Sequence, residues 1–88
     1  MVSEAKAVTI INKYLYCAQE SNIRQYFPIV ASQIYSDNQL CEQIIDYLGD
    51  VYLYAGLDAN YEENECGVEI QEAINFMALS NSKPVKYY

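Results

Sequence analysis

The sequence predicts an all-α protein, a small helical bundle of about four helices forming a single acidic domain over residues 1–88. Three observations carry this. Two prolines and three glycines leave long stretches in which helices can run. Apolar residues recur in those stretches at helical spacing. The hydrophobic fraction of 52% is ample for a core, and a chain of 88 residues closes only one.

The first helix is expected in "SEAKAVTIINKYLYCAQE". Ser3 can cap it, with Glu4 near the positive end of the helix dipole. Ala7, Val8, Ile11, Tyr14, Leu15 and Ala18 form its apolar face, and Lys6, Lys13 and Glu20 fall opposite. The next segment, "SNIRQYFPIVASQIY", contains Pro28, which lacks an N–H and crowds the preceding turn. The preferred reading is a helix with a break, beginning at Pro28 after a short separate turn over 22–27. A strand through "QYFPIVA" is the alternative, without an obvious pairing partner.

The third helix, in "SDNQLCEQIIDYLGDVYLYAG", has the clearest pattern. Ser36 and Gln39 can make a capping box, and Gly56 is placed to end the helix. Leu40, Cys41, Ile44, Tyr47, Leu48, Val51 and Ala55 share one sector. The fourth helix is expected in "GVEIQEAINFMALSNS", with Ile70, Ala73, Ile74 and Met77 on one side. Val68, Phe76 and Leu79 lie towards the other, which suggests a homodimer or a partner contact there.

Composition excludes several classes of function. No apolar run approaches the roughly 20 residues that span a bilayer, and the N-terminus has no signal pattern, so a cytoplasmic protein is expected. Cys17, Cys41 and Cys66 match neither a disulfide framework nor a paired-thiol zinc pattern, and there is no histidine. Without histidine, a serine elbow or a phosphate-cradling glycine loop, the chain does not read as an enzyme, and no cofactor is expected. Net charge is −7, and the interval between Arg24 and Lys83 carries ten acids and no base. Such a surface disfavours direct binding to nucleic acid or to an anionic membrane and favours a basic protein partner.

"LDANYEENECGVE" invites a calcium reading. Asp58, Asn60, Glu62, Asn64 and Glu69 fall at positions 1, 3, 5, 7 and 12 of an EF-hand loop. Glu63 stands where the turn needs glycine, and Glu65 where an apolar residue pairs with a neighbouring loop. An acidic connector, with Asp58, Glu62 and Glu63 available to a partner, is preferred to a metal site.

The sharper feature is a stripe on the third helix. Glu42, Asp46 and Asp50 recur every four residues, a step of about 6 Å, without a lysine to offset their repulsion. Leu53 projects from that acidic face, and Tyr54 lies at its edge. Apolar and aromatic anchors ringed by charge are characteristic of protein-binding surfaces, and ten tyrosines point the same way.

"DVYLY" (Asp50–Tyr54) and "NSKPV" (Asn81–Val85) resemble segments of the colicin and pyocin nuclease immunity proteins. The resemblance covers about ten residues. It implies an acidic four-helix protein that binds a nuclease toxin, with Asp50 and Tyr54 as partner-binding residues and Leu53 in the place of an aromatic. The leading expectation is therefore a non-enzymatic inhibitor of a basic nuclease or nucleic-acid-binding effector. Immunity proteins and phage anti-defence proteins, including anti-CRISPR and DNA-mimic types, both meet that description. A homo-oligomeric interaction module is the second reading and calcium binding the third.

Overall fold

The computed structural model describes residues 2–80. The expected tail segment 81–85, which includes Lys83, and the following Lys86 lie outside the described residues. Among those described, the chain is all-α. Five helices follow one another: α1 (Glu4–Tyr16), α2 (Ser21–Arg24), α3 (Ala31–Ser36), α4 (Asn38–Ala55) and α5 (Glu65–Ser80). Three are long and two are short, where the sequence suggests about four helices. α5 packs most extensively on α4 and next on α1, while α2 and α3 fill in against α4. No helix among the described residues is long and apolar enough to cross a membrane.

α1 starts as expected, with the Ser3 side chain accepting a hydrogen bond from the Lys6 N–H. It stops at Tyr16, four residues early, although Ala18 is still buried beyond its end. Ile10 joins Ala7, Ile11 and Leu15 in the core, whereas Val8 and Tyr14 are only half-buried.

The segment around Pro28 departs from expectation. The helix starts at Ala31, not at Pro28, and Asn12 supplies the reason. Its side-chain amide donates to the Ile29 carbonyl at 3.0 Å and accepts from the Ile29 N–H at 2.8 Å. Ile29, with both backbone groups tied to a side chain of α1, stays outside the helix. The Val30 N–H then donates to Gln33 Oε1 at 2.9 Å, and the helix begins one residue later.

The cap of α4 also shifts. Asp37, not Ser36, accepts from the Leu40 N–H, at 3.0 Å. Ser36 belongs to α3, where its hydroxyl donates to the Ser32 carbonyl. Leu40, Cys41, Ile44, Leu48 and Val51 are buried as their spacing predicts, while Tyr47 and Ala55 are half-buried. Gly56 ends the helix, but its φ of −93° is ordinary for any residue. What requires glycine is contact: a Cβ on Gly56 would lie 2.9 Å from the α-carbon of Gly67. α5 begins at Glu65, two residues before the expected start.

Candidate functional site

The buried face of α4 dictates where its carboxylates go. With Leu40, Ile44, Leu48 and Val51 turned into the core, Glu42, Asp46 and Asp50 face outward. Leu53 and Tyr54 are 68% and 74% exposed on the same side of the helix. The expected stripe is thus one exposed surface.

One edge of the stripe is a groove wall. The chain from Glu20 through Tyr26 runs beside α4, anchored by buried Ile23 and by the Tyr26 hydroxyl, which donates to Gln43 Oε1 at 2.6 Å. Between them lies a cleft of about 400 Å³ whose lining includes Glu20, Tyr26, Gln43, Asp46, Tyr47 and Asp50. A second hollow of about 470 Å³ shares Glu20, Tyr47 and Asp50 and extends to Cys17 and Tyr54. Glu20, Tyr47 and Asp50 thus border both hollows.

Tyr47 is the groove's fixed element. Its hydroxyl donates to the Tyr14 carbonyl at 3.0 Å, which pins the ring between α4 and α1. Burial raises its pKa above the ordinary tyrosine value, and the neighbouring Tyr54, Cys17 and Glu20 add to the shift. Glu20, Asp46 and Asp50 have no cation against them among the described residues. Lys13 pairs instead with Glu69 at 3.1 Å, and the Arg24 guanidinium lies 5.4 Å from the centre of the Tyr16 ring.

The structure therefore gathers only part of the expected partner-binding set. Asp46, Asp50 and Tyr54 line the groove, whereas Glu42 and Leu53 stand on the open face of α4. Asp58, Glu62 and Glu63 belong to the loop that follows the helix. Glu20, Tyr26 and Gln43 were not legible as site residues, and Tyr47 read as core. Gln43 alone carried a local signal, one turn before Asp46 and Tyr47 on the same helix.

The loop uses its polar groups on itself and on the helices. Asp58 Oδ1 accepts from the Asn60 and Glu62 N–H groups at 2.8 and 3.0 Å. Glu63 accepts from the Tyr52 hydroxyl. Asn64 joins both helices: its Nδ2 donates to the Ala55 carbonyl, and its Oδ1 accepts from the Gly67 N–H at 2.8 Å. With Glu69 paired to Lys13, the five EF-hand positions do not converge on a common point. Among the described residues no group of three or more acids, cysteines or histidines is placed to hold a metal ion. Tyr61, 84% exposed at the loop tip, adopts φ +63°, a left-handed conformation that costs a non-glycine residue about 1–2 kcal/mol.

Comparison with protein-family models, with curated proteins and with solved structures finds no match to this chain.

Proposed function

We propose that this chain is a non-enzymatic inhibitor that docks the outward face of α4 on a basic surface of another protein and blocks it. The partner's class would be a nuclease or nucleic-acid-binding effector, as the resemblance at Asp50–Tyr54 implies. One observation carries the reading. Leu53 and Tyr54, both more than two-thirds exposed, stand among Glu42, Asp46 and Asp50, and no described cation lies against Asp46 or Asp50. Carboxylates of this kind steer a basic partner towards encounter, and desolvated apolar anchors then hold it.

The test uses the purified chain as bait for basic proteins of its host, alongside D46K/D50K and L53A/Y54A. The expected result is a nuclease or nucleic-acid-binding protein retained by the parent chain and lost from both variants. The pure chain should also inhibit that partner's activity at one-to-one stoichiometry. A captured partner that remains fully active, or that both folded variants retain, overturns the reading.

A homo-oligomer is the second reading. It is supported by an apolar cleft of about 300 Å³ whose lining includes Val2, Phe76, Ala78 and Leu79. Leu79 is 61% exposed and Val68 45%. Phe76 is half-buried, with the Tyr35 ring 6.3 Å away, so the chain covers part of this face itself. Light scattering across a concentration series tests it: a constant monomer mass would sink the dimer.

A further inference from the structure

We draw no further inference here: the strongest candidate, the apolar cleft of about 300 Å³ beside α5 whose lining includes Val2, Phe76, Ala78 and Leu79, carries nothing further, because nothing in the structure shows what covers it.

Discussion

Gly56 and Gly67 meet backbone to backbone, closing the end of α4 against the start of α5. A Cβ on Gly67 would collide with the Gly56 carbonyl oxygen, which also accepts a hydrogen bond from the Asn64 N–H at 2.9 Å. Gly49, in the middle of α4, has nothing within 4 Å of its missing Cβ. The glycines should therefore respond to alanine with opposite signs. Gly67→Ala should cost about 2 kcal/mol, because backbone must move. Gly49→Ala should gain about 0.5–1 kcal/mol from helix propensity alone. Urea denaturation midpoints at constant m-value decide it, and a shared sign would refute the contact.

Asn12 should matter out of proportion to its size. Asn12→Ala strips both hydrogen-bond partners from the part-buried backbone of Ile29 at once. A loss of about 1–3 kcal/mol is expected. Hydrogen exchange at the Ile29 amide should accelerate well beyond the change seen across α5. A uniform acceleration would show that the clasp has no local role.

Tyr14 supplies a pH prediction. Its hydroxyl is buried and, among the described residues, has only the Cys66 thiol near it and no well-formed hydrogen bond; burial first, and that thiol next, raise its pKa above the ordinary 10.0. The folded chain thus holds this proton more tightly than the unfolded chain does. Its contribution to stability is complete below about pH 10 and is lost as pH climbs above that. Tyr35, Tyr47 and Tyr52 shift in the same direction. Tyr14→Phe should raise stability at neutral pH by about 1 kcal/mol and flatten the alkaline decline. Melting temperature against pH for both chains measures this; parallel curves would remove Tyr14 as a cause.

Calcium should leave the fold unchanged. Asp58, Asn64 and Glu69 already serve the loop backbone, the ends of α4 and α5, and Lys13. A site filled to a hundred times its dissociation constant would add about 2.7 kcal/mol. Differential scanning with millimolar calcium, against sodium at matched ionic strength, should show no rise. A clear rise would restore the EF-hand reading.

Binding kinetics should separate the two kinds of residue on α4. With a partner in hand, D46K/D50K should slow association and flatten its salt dependence. Leu53→Ala or Tyr54→Ala should instead speed dissociation, costing about 2 kcal/mol if either is a central anchor. All of these chains should fold, since the positions are exposed. Unchanged rates in folded variants would move the contact away from α4.

The sequence alone determined the faces of the long helices. Leu40, Ile44, Leu48 and Val51, or Ile70, Ala73 and Met77, recur over enough turns for the helical period to stand out, and burial follows it. The outward stripe of Glu42, Asp46 and Asp50 follows from the same periodicity. α2 and α3 have only four and six residues, too few for a period to show, and their limits were set from a distance. Asn12 holds Ile29 across 17 positions, just ahead of the start of α3 at Ala31. The groove depends on tertiary structure for the same reason. Periodicity reports that one side of a helix is buried, but not what lies beside its exposed edge. Glu20 and Asp50 become neighbours only because Ile23 docks and Tyr26 reaches Gln43. Gly67 had no pattern to reveal it, since its requirement lies in the backbone of Gly56, which only packing brings into contact.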